Sequence, residues 1–416
     1  MRTFDEARRD ITRELGLIAS PHSLRREIVP LGASLGRVLA SEIRADRPYP
    51  PFDRSIRDGF AVRSSEIAPG AKLKLIGELK AGDTPQISVT PGTCIQIMTG
   101  AAVPQGADAV IMIEHTRAEG DTIVFDRVIE SGQHIVKRGT EAANGHPFVN
   151  RGSKIGFAEV AAAAQVGAVE LEVYRKPRIA ILSTGDEVVP AETTPGDFQI
   201  RNSNAYSLSA QVTLTGGEPI VLSNAKDAEH DLREKISQGL QSDMLILSGG
   251  VSAGRYDLVE KVLHELDATL HFDAVAIRPG KPTVFAICQN KPVFGLPGNP
   301  VSTMVTFELF ASLAVCLLAG ENRSDPQQLL GFERQPLPFL EARLGEALQE
   351  KPGLAHFLPA KLSWPNGTPT VAPIRWQGSG DLAAVAKSNC FLYIPADRSR
   401  FECGEPVSVL PRRDVL

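Results

Sequence analysis

Glycine-containing loops follow three predicted strands between residues 178 and 320. They are Ser183–Glu187, Ser248–Ser252 and Leu296–Pro300. If the strands are parallel, these loops emerge at one edge of a sheet, where open α/β sheets bind their ligands. Glycine lets the backbone approach a ligand closely, and the free N–H groups of a helix N-terminus favour phosphates and other oxyanions. The loops therefore predict one oxyanion pocket, formed by Ser248, Gly249, Gly250, Pro297, Gly298, Asn299 and Pro300.

Acidic residues lie in or beside two of these loops. Asp186 and Glu187 belong to the first loop, and Asp257 follows the second. A carboxylate next to bound phosphates usually holds Mg²⁺, a hard cation that takes oxygen ligands, so all three are predicted metal ligands. Each alone also fits an ordinary turn or a first helical turn, just as Asn299 followed by Pro300 also fits a plain helix start.

Two cations flank a rigid turn in the segment RPGKP. Arg278 and Lys281 stand on either side of a Pro-Gly pair. Two positive charges on a stiff loop suit a doubly charged tetrahedral oxyanion, although a solvated charged turn has the same composition. The eight histidines show no metal-binding spacing, and no hydrolase triad is visible in the linear order.

Strands and helices alternate after residue 177. Apolar runs such as RIAILST and DMLILSGG predict strands, and helical patterns cover residues 203–214, 228–240 and 256–266 and begin again at Val301. Near-continuous apolar strands separated by amphipathic helices are typical of a parallel sheet covered on both faces. This alternation positions the three loops at one edge.

Helical patterns also occur before residue 177. They cover residues 3–15, 31–43 and 155–166. The second predicted helix would carry one apolar face, made of Leu31, Leu35, Val38, Leu39 and Ile43.

The predicted fold class is multi-domain α/β. A parallel-sheet α/β domain covers residues 177–325, and a helical linker region combines residues 1–46 and 145–176. Short β-rich runs broken by Gly and Pro predict an inserted β-rich domain at 47–144 and a small β-barrel-like domain at 326–416.

Composition excludes several classes of protein. The 416 residues are 43% hydrophobic and 22% charged, which excludes a disordered chain. A net charge of −5 gives no overall attraction to nucleic acid or to an anionic membrane. Five cysteines without a CxxC pair favour a reducing cytoplasm. We expect no signal peptide, and no membrane segment because the apolar stretch Phe307–Leu318 is short and contains Glu308.

Nine segments together resemble one known family. In chain order they are GRVLA, PFDRSIRDGFAV, IMTGAAVPQGADAVI, ILSTGDEVV, LSGGVSAGRYD, RPGKP, GLPGNPVS, WQGSGDL and GEPVSVL. The chain thereby resembles the molybdopterin molybdenumtransferase (MoeA) family, the molybdenum insertases that include the gephyrin-like E domains of animal and plant homologues. The resemblance implies an elongated homodimer in which adenylylated molybdopterin and molybdate react, with Mg²⁺, to give molybdenum cofactor and AMP. Its α/β domain is similar to that of the upstream molybdopterin adenylyltransferase.

The resemblance also implies roles for particular residues. Positions linked to activity or to nucleotide and metal handling are Thr99, Glu187, Asp227 and Asp257. Asp58 would reach the site across the dimer interface. Positions linked to the pterin phosphate or to molybdate are Lys281, Ser302 and Ser379.

Several positions depart from the family pattern. Arg54 and Arg57 replace an Asn and a Met, and Thr140, Glu141 and Ala142 stand where the family often has Glu, Asp and Ile. Further departures are Arg255 for an acid, Arg278 for a Lys, and Leu354 in a segment that lacks the family's arginines. An alternative therefore stays open, in which the chain is a divergent paralogue that binds molybdopterin as a carrier or scaffold with weak or no insertase activity.

Overall fold

The computed structural model describes residues 1–18, 24–250, 256–321, 337 and 339–415, without the side chains of Tyr256 and Asp257. Its α-helices are α1 (Phe4–Ile18), α2 (Phe157–Gln165), α3 (Ser203–Thr215), α4 (Glu229–Gly239), α5 (Tyr256–Glu265), α6 (Pro300–Thr306), α7 (Ser312–Leu318) and α8 (Leu382–Lys387). A π-helical turn, Phe307–Ala311, joins α6 to α7. Short 3₁₀ turns occupy Leu31–Ala33, Ser64–Glu66, Ile113–His115 and Pro365–Gly367.

The first 176 residues form one six-stranded sheet and several two-stranded ribbons. The strands are β1 (Arg26–Pro30), β2 (Ile43–Arg44), β3 (Arg54–Ser55), β4 (Gly59–Val62), β5 (Lys72–Leu79), β6 (Thr93–Ile97), β7 (Ala109–Met112), β8 (Thr116–Glu119), β9 (Thr122–Phe125), β10 (Ile135–Val136), β11 (Pro147–Val149) and β12 (Glu170–Tyr174). The large sheet has the order β7-β4-β6-β5-β9-β8, and β1 pairs with β12, β2 with β11, and β3 with β10.

The prediction of a helix over residues 31–43 is wrong. Only one 3₁₀ turn forms there, and the chain then runs beside the segments around Ser153 and β12, with Leu39 N–H donating to the Ser153 carbonyl at 3.0 Å. Gly36 has φ +74°, a left-handed conformation that ends a helix. Leu35, assigned to the apolar face, is 68% exposed. Backbone pairing with distant segments therefore overrides the local helical pattern.

Residues 177–321 form a sheet with helices on both faces. The strands are β13 (Arg178–Ser183), β14 (Val188–Val189), β15 (Ile200–Arg201), β16 (Glu218–Val221), β17 (Met244–Ser248), β18 (Thr269–Phe272), β19 (Ile277–Arg278), β20 (Val284–Cys288) and β21 (Lys291–Leu296). The sheet order is β16-β13-β17-β21-β20-β18, in which β16, β13, β17 and β21 are parallel. The predicted parallel sheet is confirmed for these four strands, while β20 and β18 are antiparallel to their neighbours.

A two-residue turn explains the antiparallel pair β20–β21. Gln289 and Asn290 have φ of +49° and +61°, and they connect Cys288 directly to its partner Lys291. Two consecutive positive φ values are the signature of the type I′ turn that joins adjacent antiparallel strands.

Both faces of this sheet are covered. On one face, residues of α1, α3, α6 and α7 share a core with Phe285 and Phe294. On the other face, α4 and α5 pack against Leu245 and Leu247. Pro300–Leu318 is the one helical run in the described ranges long and apolar enough to cross a membrane, and 83% of it is buried in this core.

The last part of the chain closes into a small barrel. Its strands are β22 (Leu340–Leu344), β23 (Leu348–Gln349), β24 (Ala355–Ser363), β25 (Thr370–Pro373), β26 (Cys390–Ile394), β27 (Arg400–Phe401) and β28 (Pro406–Pro411). The order β24-β25-β22-β28-β26 returns to β24, because β24 also pairs with β26. The multi-domain α/β class with a terminal barrel is confirmed, while the four predicted domain boundaries stay predictions.

Gly59 is predicted to be essential for the inserted sheet. A Cβ added there would lie 1.9 Å from the carbonyl oxygen of Ile111, so Gly59→Ala must push β4 away from β7. We expect a loss of about 1–3 kcal/mol in the free energy of unfolding, measured by urea denaturation. Gly32→Ala is the matched control, because nothing lies within 4 Å of the added Cβ. Equal stability of the two variants would contradict the close approach.

Candidate active site

The three glycine-containing loops meet at the carboxyl edge of β13, β17 and β21. Thr184 N–H donates to the Ser248 carbonyl at 3.0 Å, and Gly249 N–H donates to the Leu296 carbonyl at 3.1 Å. A Cβ on Gly249 would lie 2.8 Å from the Thr184 carbonyl oxygen, and one on Gly298 would lie 3.5 Å from the Gly249 Cα. Gly249 also has φ +95°. Only glycine therefore allows the second loop to lie this close to the first.

A cavity of about 650 Å³ opens at this edge. Its volume lies within the range of roughly 300–1,000 Å³ that is usual for small-molecule sites. All seven predicted pocket residues line it, together with Glu187: Ser248, Gly249, Gly250, Pro297, Gly298, Asn299 and Pro300. Asn299 holds the N-cap position of α6, but its side chain makes no capping hydrogen bond, so its amide faces no helix donor.

Two asparagines that sequence reasoning missed hold these loops together. Asn204 donates from Nδ2 to the Ser248 hydroxyl and to the Gly298 carbonyl, both at 2.8 Å. Asn202 caps α3 by accepting from Ala205 N–H at 3.0 Å, and it donates to the Ser183 hydroxyl at 3.0 Å. The motif Arg-Asn-Ser-Asn before a helix signals a cap, but nothing in it signals a link between distant loops.

Of the predicted acidic residues, Glu187 lies at the rim of the cavity. Glu187 is exposed and lines the cavity, and Asp186, also exposed, accepts from the Asp227 N–H at 3.2 Å. The side chain of Asp257 and the whole of Arg255 lie outside the described residues. Within the described ranges, no group of three or more His, Cys, Asp or Glu side chains forms a metal cage. Metal binding at Asp186, Glu187 and Asp257 stays a prediction.

The RPGKP turn reaches the same edge because β20 is antiparallel. Val284 pairs with Gly295, so the residues before β20 lie where β21 ends, and Pro282 lines the cavity. The Lys281 carbonyl accepts from Val275 N–H at 2.9 Å and from Thr283 N–H at 3.0 Å, which fixes the turn. The Lys281 side chain is exposed. A wholly parallel sheet would have placed this segment at the opposite edge.

Arg278 lies at the other end of the same turn. It is exposed at the end of β19 and pairs in register with His356 of β24. Neither Arg278 nor Lys281 is among the residues that line the cavity. Leu354 stands just before β24, whose first six residues are buried, so this departure from the family pattern belongs to the packing of the barrel.

The two predicted serines differ in accessibility. The Ser379 carbonyl accepts from Val301 N–H at 3.0 Å, and the next residue, Gly380, lines the cavity. Ser302 is only 4% exposed inside the first turn of α6 and does not line the cavity. The Ser379 loop therefore borders the cavity, whereas Ser302 supports the helix beneath it.

Asp58 and Thr99 form a second cluster, in the inserted sheet. The Asp58 carboxylate accepts from the Thr99 N–H at 2.7 Å and from its hydroxyl at 2.8 Å. These two hydrogen bonds lower the pKa of Asp58 below its ordinary value. Neither residue lines the cavity, so within one chain the structure brings them to each other and not to Glu187.

Two of the departures from the family pattern pair with each other. Arg54 Nη2 donates to Glu141 Oε1 at 2.7 Å, and the neighbouring Lys137 donates to Asp53 at 2.8 Å. Arg57 is exposed, and its N–H donates to the Ser55 hydroxyl at 3.2 Å. The added positive charge at 54 is therefore balanced by the carboxylate at 141.

Family models match most of the chain. Residues 2–167 match the MoeA N-terminal region (domain I and II), residues 180–315 match a probable molybdopterin binding domain, and residues 341–411 match the MoeA C-terminal region (domain IV). The third match covers the closed barrel, and the second covers the sheet that carries the cavity.

Similar proteins cover nearly the whole length. The molybdopterin molybdenumtransferase of Nostoc sp. is 32% identical, covering 92% of this chain and 88% of the relative. The enzyme of the same name from Synechocystis sp. is 34% identical over 89% of this chain and 91% of the relative. A crystal structure of the molybdopterin biosynthesis MoeA protein from Pyrococcus horikoshii superposes with a TM-score of 0.80 at 28% identity, covering 99% of this chain and 100% of that one.

The Asp58–Thr99 contact predicts how the pKa of Asp58 changes when Thr99 is substituted. Thr99→Val removes the hydroxyl donor and keeps the N–H, so the pKa of Asp58 should rise part of the way to its ordinary value. Thr99→Ser is the control and should keep the pKa low. Because folding lowers the pKa of Asp58, its hydrogen bonds to Thr99 stabilise the fold at pH values above the pKa that Asp58 has in the unfolded chain. This stabilisation is lost as the pH falls through the pKa of Asp58 in the folded protein. NMR titration of the Asp58 carboxyl carbon tests this, and an unchanged titration in Thr99→Val would rule out the side-chain contribution.

Proposed function

We propose a reaction for this chain, which belongs to the molybdopterin molybdenumtransferase family: insertion of molybdate into adenylylated molybdopterin, with Mg²⁺, and release of AMP. Membership makes the protein a transferase of molybdenum cofactor biosynthesis. To this the proposal adds that the substrate carries a nucleotide, that the reaction depends on Mg²⁺, and which residues act.

The observation that carries the proposal is the cavity at the carboxyl edge of β13, β17 and β21. It combines three glycine-containing loops, the N-terminal ends of α3 and α6, and the Glu187 carboxylate on its rim. Main-chain N–H groups and helix N-termini suit the phosphates of a nucleotide-bearing substrate. Release of AMP breaks a phosphoanhydride, and the protein contributes to such a step mainly by positioning and by charge neutralisation. No covalent nucleophile is required.

The rim residues fit Mg²⁺ as partial ligands. Mg²⁺ takes oxygen ligands and usually binds through one or two carboxylates together with substrate phosphates and water. Asp186 and Glu187 supply such carboxylates, Asp227 lies against Asp186, and Asp257 is a further ligand by the motif. Bound there, the cation would neutralise phosphate charge. The residues of the chain would orient the nucleotide and keep its phosphates at the loops.

The RPGKP turn and the Ser379 loop would hold the oxyanion. Lys281 extends from a turn whose backbone is fixed by two hydrogen bonds to its own carbonyl, and Arg278 adds a second positive charge. Pro282, next to Lys281, and Gly380, next to Ser379, line the cavity, so both segments lie at the border of the cavity. Molybdate or the pterin phosphate is the matching anion, and Ser302 would act through the α6 backbone.

A homodimer would complete the site. Asp58 and Thr99 bond to each other and do not line their own chain's cavity, so their proposed role requires the cavity of a second copy. An adenylyltransferase would supply the adenylylated substrate. We place the reaction in the cytoplasm, which the five free cysteines support.

The alternative is a molybdopterin-binding carrier or scaffold with weak or no insertase activity. It rests on the replaced positions, chiefly Arg54, Arg57 and Arg255. A purified protein that binds adenylylated molybdopterin but releases no AMP with molybdate and Mg²⁺ would establish this alternative and overturn the insertase proposal.

Glu187→Gln tests the rim carboxylate. The change removes a negative charge and keeps the shape, so AMP release should fall by about 100-fold or more while the thermal midpoint stays within a degree or so. Glu192→Gln is the matched control, because Glu192 is an exposed acid of the same segment that does not line the cavity. A large fall in thermal midpoint with full activity per folded molecule would make Glu187 a structural residue instead.

Lys281→Ala tests the oxyanion site. Loss of one charge-assisted hydrogen bond should weaken molybdate or pterin phosphate binding about ten- to hundredfold, measured by calorimetry at low salt. Lys281→Arg should keep the charge but recover only part of the affinity, and exposed Lys361→Ala should change nothing. Unchanged affinity in Lys281→Ala would place the anion elsewhere.

Mixing two inactive variants tests the shared site. Asp58→Asn and Glu187→Gln, refolded together, should regain about a quarter of wild-type AMP release, because half of the dimers are mixed and each mixed dimer holds one intact site. Each variant refolded alone is the control. No recovery in dimers shown to be mixed would mean that Asp58 and Glu187 do not serve one site across the interface.

A further inference from the structure

A second cavity, of about 350 Å³, lies between the α/β sheet's helices and the barrel. Its floor is apolar and comes from four elements. The residues that form this floor are Ala210 and Leu214 of α3, Met304 of α6, Leu382, Val385 and Ala386 of α8, and Phe391 of β26. The volume is within the range of roughly 300–1,000 Å³ that small-molecule sites occupy. The two cavities share no lining residue.

Charged residues line one side of this second cavity, and most of their polar atoms have partners within the protein. Glu308 accepts from Gln211 Nε2 at 2.9 Å and from Arg413 Nε at 3.1 Å. Arg412 donates to the Val385 and Ser388 carbonyls and to Asp414. Four of the five N–H groups of Arg412 are therefore engaged, and Glu308 is paired with Arg413.

Arg413 is different from its neighbour. Only its Nε has a partner, and among the described residues its terminal nitrogens have none. The side chain is 31% exposed at the cavity wall. A guanidinium whose two terminal nitrogens are free beside an apolar floor suits a carboxylate. The carboxylate matches the fork of N–H groups, and the remaining atoms of the ligand bury apolar surface.

We propose that this cavity binds a small carboxylate with an apolar aromatic or branched body. The body lies on the floor between α3 and α8, and the carboxylate accepts from the terminal nitrogens of Arg413. The site is independent of the proposed insertase reaction, since neither cavity contributes a residue to the other.

Calorimetry of the full-length protein with 2-naphthoate tests the proposal. We expect saturable binding of one naphthoate per chain. The neutral analogue 2-naphthamide should bind at least about tenfold more weakly, because it lacks the charge that Arg413 recognises. Arg413→Gln should remove this difference between acid and amide.

Two tryptophan variants locate the binding without disturbing the core. Ala386 and Ala210 are exposed residues of the cavity wall, so Ala386→Trp and Ala210→Trp should fold and fill the space. Each should weaken naphthoate binding at least about tenfold. Ala383→Trp is the matched control, an exposed position on α8 outside the cavity, and should bind as the wild type does.

Three results would overturn the proposal. They are the absence of saturable binding at millimolar naphthoate, undiminished binding in both Ala386→Trp and Ala210→Trp, and equal affinity for the acid and the amide. Circular dichroism of each variant confirms that a lost signal comes from the cavity and not from unfolding.

Discussion

The large cavity depends on a close contact between the backbones of two loops at the end of the central strands. Gly249 approaches Thr184 so closely that any side chain would collide with its carbonyl. Asn204 then ties the second loop to the third through one amide. Because the glycine approach and the Asn204 bond to the Gly298 carbonyl involve main-chain atoms, the wall of the large cavity is set by the fold itself.

Sequence reasoning found the features that repeat. The apolar runs of β13 and β17 and the loops after them have strong local signatures, so the pocket residues were predicted to lie together and they do. The sequence-based prediction failed where one or two residues determine the local structure. Gly36 ended a helical pattern, and the pair Gln289-Asn290 reversed a strand. Asn204 has no spacing signature, because its partners lie 44 and 94 residues away. Contacts of that range depend on the tertiary structure.

The inserted sheet contains an ion pair between two positions that depart from the family pattern. Arg54 and Glu141 are 87 residues apart and bond to each other, so the positive charge at 54 lies against a carboxylate at a position where the family also often carries one. Both side chains are about 40% exposed, and pairs of this kind contribute only about 0–1 kcal/mol to folding. The pair therefore contributes little to stability.

The position of α1 has a consequence for how the chain folds during its synthesis on the ribosome. Its buried side chains Ala7, Ile11 and Leu15 pack in the core formed with α7, and Arg8 donates to the Leu309 carbonyl, 301 residues later. At a synthesis rate of about 5–20 residues per second, the first helix waits roughly 15–60 s on the ribosome for its partner. During that interval an amphipathic helix exposes its apolar stripe to the cell. α1 is thus among the last elements to dock, and the α/β core is completed only after α7 has been translated.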